Sequence, residues 1–195
     1  RASGPAKGVS ALTLDKSTKQ GVTREIGGLD ISGETGWMAK QASGSCMVRC
    51  GDSAVFVAAV VGDPRGDGDF FPLTVDYRER TTAVGKFPGG FFKREGRPTN
   101  KETLTMRLTD RPLRPLFPDG YKNEVLIQGT VFSADGEIDP DLLNIIGASM
   151  SLCMSDAPFL GPIGAVRIGL VDDEFIPFPT HKERAEGDLD LVVAG

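Results

Sequence analysis

"NEVLIQGTVFSADGEIDPDLLNIIGASMSLCMSDAP", residues 123–158, changes character half-way along. "NEVLIQGTVFSA" reads as a β-strand. "DGEIDPD" is a turn, with Asp139 as the expected N-cap of a helix and Pro140 at its first position. "DLLNIIGASMSLC" then reads as a buried helix in which Gly147, Ala148 and Ser149 offer a small-residue surface for close packing. The acids of the turn sit where a helix N-terminus would otherwise attract a phosphate, so they argue against an anion site there.

On either side the chain reads mainly as strands. "CGDS" at 50–53 is a hairpin turn whose second arm, Ala54–Gly62, is almost wholly apolar. "GDPRGDGD" at 62–69 is a polar loop. In "FFPLTVDYRERT", Leu73, Val75 and Tyr77 alternate with Thr74, Asp76 and Arg78, which buries one face. Downstream, "GAVRIGLVDDEFIPFP" is a hairpin turning at Asp172-Asp173, "THKERAEG" is a polar connection, and "DLDLVVAG" opens a further strand. Antiparallel strands with inserted helices define the α+β class. Residues 1–25 are small, polar and basic, with no acid before Asp15, and read as a flexible leader compatible with the remainder of an organelle transit peptide. Residues 26–195 form the domain, and a chain ending inside an apolar strand reads as C-terminally incomplete.

Composition narrows the function. With 195 residues, 39% hydrophobic and 25% charged, the chain can bury a proper core. A net charge of −5 excludes wholesale coating by nucleic acid but leaves room for a local basic track. No apolar run approaches the ~20 residues of a membrane span. Cys46, Cys50 and Cys153 lack metal-type spacing and read as reduced packing residues. A single histidine, His181, disfavours a nucleophilic triad, and no phosphate-loop or dinucleotide motif is present.

Two features carry candidate chemistry. "GKFPGGFFKREGRPTNKE", residues 85–102, places Phe91 and Phe92 after two glycines and among Lys86, Lys93, Arg94 and Arg97. Rings that stack on bases beside cations that neutralise phosphates hold single strands without reading sequence. The alternative is a hairpin tip whose rings fold back into the core. Next, Thr99 and Glu102 have capping-box spacing and start a helix. On it Leu104 and Leu108 are expected to face the core, and Pro112 and Pro115 to kink or end it. Arg107, Arg111 and Arg114 make a second face. Those arginines either extend the basic track or pair internally with Glu79, Asp110 or Asp119. Asp188 and Asp190, two apart at a strand start, could share a divalent cation or be a plain polar strand entry.

From Gly28 to Gly195 the chain resembles the first of the two RNase PH-like core domains of the polynucleotide phosphorylase family. The resemblance rests on "ETGWMAKQASGS", "DFFPLTVDYRER", "GGFFKREGRPTNKETLTMRLTDRPLRPLFPDGY", "NEVLIQGTVFS", "IGASMSL", "GPIGAVRIGL" and "LDLVVAG". It implies an RNase PH-type α+β fold, like domain 2 of ribosomal protein S5, with mixed or antiparallel strands and packed helices. It implies a part in a 3′→5′ exoribonuclease that uses inorganic phosphate to release nucleoside diphosphates, and that also runs in reverse. Expected partners are single-stranded RNA, a second core domain, and two further chains in a homotrimeric ring.

Magnesium is expected in the full enzyme, held by the second core domain. There the family has a phosphate-holding serine run and an Asp, Asp, Lys constellation. Here "DGEIDPD" replaces the serines, Asp190 matches one aspartate, and Arg184 and Val192 stand where the other aspartate and the lysine fall. The resemblance therefore implies no catalytic residue and no metal ligand in this chain. It assigns RNA contact to Phe91, Phe92, Lys93, Arg94 and Arg97, with Lys93 replacing the more usual first arginine. The rival readings are a stand-alone RNase PH and a non-catalytic, exosome-like ring subunit. The expected compartment is the bacterial cytoplasm or an organelle, the leader favouring the organelle.

Overall fold

A computed structural model describes residues 18–64 and 70–195. The remainder of the leader and the tip of the 62–69 loop (65–69) lie outside the described residues. Six strands form one sheet: β1 (Gln20–Ile26), β2 (Leu29–Thr35), β3 (Gly44–Cys50), β4 (Ser53–Pro64), β5 (Leu73–Glu79) and β6 (Asn123–Ser133), ordered β1-β2-β3-β4-β6-β5. Pairing is antiparallel except between β5 and β6, which run parallel. That parallel pair requires a crossover. It consists of a 3₁₀ turn (Thr81–Val84), the basic loop, and α1 (Asn100–Leu113) followed by a second 3₁₀ turn (Arg114–Leu116).

Helix α2 (Pro140–Cys153) lies across the inner face of β3 and β4. Leu142, Leu143, Ile145 and Leu152 are fully buried, each contributing about 1.5–3 kcal/mol by leaving water. The small-residue stripe does what its composition implies. A methyl group on Gly147 would come within 2.6 Å of Val57 Cγ2, the Cys46 thiol donates to the Gly147 carbonyl at 3.2 Å, and Ser151 Oγ donates to the Val57 carbonyl at 3.1 Å. Burial pushes the Cys46 thiol up to about 11. Cys50 is likewise buried, whereas Cys153 is exposed. A second, antiparallel sheet follows: β7 (Ala165–Val171), β8 (Glu174–Pro177) and β9 (Leu189–Ala194), ordered β8-β7-β9, with α3 (His181–Glu186) between β8 and β9.

Four sequence expectations change. Among the described residues regular structure begins at Gln20 rather than near Ile26: β1 pairs with β2 along its whole length, yet all its residues are exposed, so no apolar alternation marks it. "THKERAEG" is not merely polar. Thr180 and Glu183 form a reciprocal capping box that starts α3. Leu104 does not face the core and is 64% exposed. The buried face of α1 is Glu102, Thr105, Thr109 and Leu113, because Thr109 Oγ1 accepts a buried bond from Asn144 Nδ2 of α2 (3.0 Å). Leucine spacing pointed to the wrong side, and only Leu108 packs at the core margin. Finally, Asp139 stands at the N-cap position of α2 without capping it. Its carboxylate turns instead to three cations.

Gly147→Ala tests the close approach of α2 to the sheet. The added methyl has no room, so denaturant unfolding should show a loss of about 1–3 kcal/mol.

Candidate nucleic-acid interface

Residues 85–99 have no regular secondary structure, and both ends of the segment are fixed. On the leading side, Gly85 at φ 67° closes the 3₁₀ turn, its N–H donating to the carbonyls of Thr81 and Thr82. On the trailing side Thr99 caps α1. Glu102 does more than complete that capping box: Oε2 accepts from the Thr99 N–H (2.6 Å) and Oε1 from the Glu79 N–H at the end of β5 (2.9 Å). Burial pushes this carboxyl up, but the two backbone donors outweigh it and hold it below the usual range.

Between these stems the rings face solvent. Phe87, Phe91 and Phe92 are 88%, 94% and 81% exposed. Phe91 and Phe92 meet edge to face, centroids 5.4 Å apart and planes at 84°. They do not fold back into the core. Lys93, Arg94 and Arg97 follow, all but the intervening Glu95 and Gly96 being cationic up to Arg97. Lys93 adopts a positive φ of 51°, an uncommon conformation for a side-chain-bearing residue. Glu95 Oε1 accepts from the Thr81 N–H (2.6 Å) and Thr81 Oγ1 (2.9 Å), and Oε2 from Arg80 Nη1 (2.7 Å). The Thr81 amide and then Arg80 hold the Glu95 carboxyl below its ordinary value.

The arginine face divides. Arg114 is held internally. Its guanidinium takes both oxygens of Asp110 (3.0 and 2.7 Å) and donates to the carbonyls of Phe71 (3.0 Å) and Leu73 (3.2 Å). It thus ties the helix end to the start of β5. Arg107 and Arg111 instead line an open cleft of about 780 Å³ with Lys101, Leu104, Leu108, Asp139, Asp141, Arg167, His181 and Arg184.

The far wall of that cleft is a closed set of charges. Arg167 bonds Asp141 (2.8 Å) and Asp190 (3.1 Å) and lies 3.6 Å from Asp139. Arg184 bonds Asp139 and Asp190, and Lys101 bonds Asp139 and Glu79. Burial pushes Asp139 up, but Lys101, Arg167 and Arg184 together hold it below the usual range. Asp141 is buried more deeply, and there burial wins over Arg167, so its carboxyl is raised.

Asp188 precedes β9 and only Asp190 enters it, where its carboxylate is bound by two guanidiniums, those of Arg167 and Arg184. Among the described residues no group of three His, Cys, Asp or Glu side chains could hold a metal ion. Arg184, standing where the resemblance puts an aspartate, is a cation paired with Asp139 and Asp190. Val192 is half-buried against the core. Sequence reasoning missed Glu95, Lys101 and Arg167. None lies in a recognisable spacing, since their partners are distant in the chain.

The architecture of two sheets and crossing helices is shared with known proteins. The family model "3′ exoribonuclease family, domain 1" (RNase PH) matches residues 29–158, and the chain belongs to that family. A polyribonucleotide nucleotidyltransferase of Persephonella marina is 50% identical over 190 residues, covering 97% of this chain and 26% of that protein. One from Natranaerobius thermophilus is 55% identical over 175 residues, covering 89% and 24%. The chain thus spans about a quarter of the length of these relatives. A solved chain of an archaeal exosome core shares the fold, with a TM-score of 0.56 at 15% identity over 91% of this chain and 69% of that one.

The charge cluster makes the junction of α2 and the second sheet acid-sensitive. Because the Asp139 carboxyl is depressed by folding, its contribution is complete above the ordinary carboxylate value near 4 and is lost as pH falls below it. In unfolding titrations from about pH 6 to pH 2, Asp139→Asn should flatten the acid-side loss of stability while lowering stability near neutral pH.

Proposed function

We propose that this chain is the RNA-guiding, ring-forming core domain of a phosphate-dependent 3′→5′ exoribonuclease that converts RNA to nucleoside diphosphates and can run in reverse. The observation that carries the reading is the loop. Two fully presented rings and three cations project from a rigid stem, in a domain of a 3′ exoribonuclease family. The sequence identity with the nucleotidyltransferases, at 50% or more over most of the chain, supports the same assignment.

The chemistry assigned to this domain is positioning. Base faces stack on Phe91 and Phe92, Lys93, Arg94 and Arg97 meet phosphates, and Arg107 and Arg111 extend the cationic path into the cleft. Phosphorolysis needs groups that cradle inorganic phosphate and stabilise charge at phosphorus. Here the start of α2 carries carboxylates in place of phosphate-holding hydroxyls, and the cations beside them, Lys101, Arg167 and Arg184, are already paired with Asp139, Asp141 and Asp190. Magnesium does not fit these residues, because guanidiniums occupy the carboxylates that would hold it. In this reading cleavage falls to a second core domain, and the ring is built from both.

Two measurements test the reading. The 195-residue chain alone should release no ADP from poly(A) with inorganic phosphate and magnesium, whereas the intact protein should. ADP release by the chain alone would contradict the assignment of chemistry elsewhere. Its absence from the intact protein would favour a non-catalytic ring subunit. In the intact protein, replacing Phe91, Phe92 and Arg94 together by alanine should weaken binding of a single-stranded RNA by at least about tenfold, given 1–3 kcal/mol per stacked base. Unchanged affinity at moderate salt would take the loop out of the RNA path.

A further inference from the structure

A carboxylate at position 95 is out of place if the loop simply collects phosphates. It sits between Arg94 and Arg97, where a free negative charge would repel the strand that the neighbouring cations attract. The geometry resolves the conflict. Glu95 points away from the loop tip and spends both oxygens on the 3₁₀ turn, taking the Thr81 amide and hydroxyl on one and Arg80 on the other.

We infer that Glu95 is a positioning residue that sets the reach and direction of the RNA-binding loop. This inference rests on the proposed role of that loop. Three observations support it. First, the segment from Lys86 to Pro98 makes its side-chain hydrogen bonds to the body, among the described residues, through Glu95. Closing the chain there pins the part that carries Phe87, Phe91 and Phe92 at both ends, and so restricts the conformations it would otherwise lose on binding. Second, Lys93 holds its positive φ two residues before the tether, a conformation that persists only where the surroundings impose it. Third, pairing with Arg80 (2.7 Å) cancels the charge of Glu95 toward an approaching strand.

A positioning role and a purely electrostatic one predict opposite signs. If Glu95 mattered only as a charge, removing it would free Arg80, tighten RNA binding and steepen its salt dependence by about one contact. As a tether, its removal loosens the loop and weakens binding with the salt slope unchanged. The experiment compares Glu95→Ala, Glu95→Gln and a Phe91→Ala/Phe92→Ala variant in the intact protein. Affinity for a single-stranded oligoadenylate is measured at several salt concentrations, together with melting temperature and, for the two Glu95 variants, the rate of chymotryptic cleavage at Phe91 and Phe92.

Glu95→Ala is expected to bind roughly tenfold more weakly, with an unchanged salt slope, unchanged melting and faster cleavage in the loop. Glu95→Gln keeps an acceptor for Thr81 and should lose less. Equal or tighter binding by Glu95→Ala, while the ring variant binds more weakly, would overturn the tether alone. Unchanged binding by the ring variant would remove the RNA reading of the loop, and the inference with it.

Discussion

Glu102 joins what the chain separates. One buried carboxylate accepts from the last residue of β5 and from the N-cap of α1, so the two stems of a long irregular segment meet on a single side chain. A charged group out of water is costly unless its lone pairs are filled. Here two backbone N–H groups fill them. The arrangement fixes where the loop leaves the sheet, where it returns, and which way α1 points. Arg107 and Arg111 lie two and three turns along the helix that this cap begins.

The loop and the cleft wall use charge in opposite ways. On the wall, Asp139, Asp141 and Asp190 share Lys101, Arg167 and Arg184, and the set is close to neutral within itself. Such a set links the start of α2 to α1, β7, α3 and β9 through side-chain ion pairs. Each of its carboxylates already holds a cation. On the loop the cations stay exposed, and the one carboxylate among them turns inward. The division between structural and available charge runs through α1 itself: Arg114 is bound at its C-terminal end, while Arg107 and Arg111 line the open cleft.

Much of this was legible in the sequence, and the failures have a common cause. The strand alternation of Leu73–Tyr77, the hairpin at Gly51-Asp52, the Thr99–Glu102 box and the small-residue face at Gly147 are local patterns, and each is found where it was read. "TNKE" and "THKE" carry the same capping signal; the second was passed over because no apolar periodicity follows it. β1 has no buried residue, so hydropathy could not announce it. Leu104 misled because the buried face of α1 is partly polar, held by the Thr109–Asn144 bond. Glu95, Lys101 and Arg167 were invisible because their partners lie 14, 38 and 26 residues away along the chain.

The perpendicular setting of Phe91 and Phe92 has a consequence for shape. Successive bases in a stacked strand lie nearly parallel, whereas these ring planes stand at 84°. Both rings cannot join one continuous column of bases. A strand that uses both must turn its course between them, like a thread drawn around a corner.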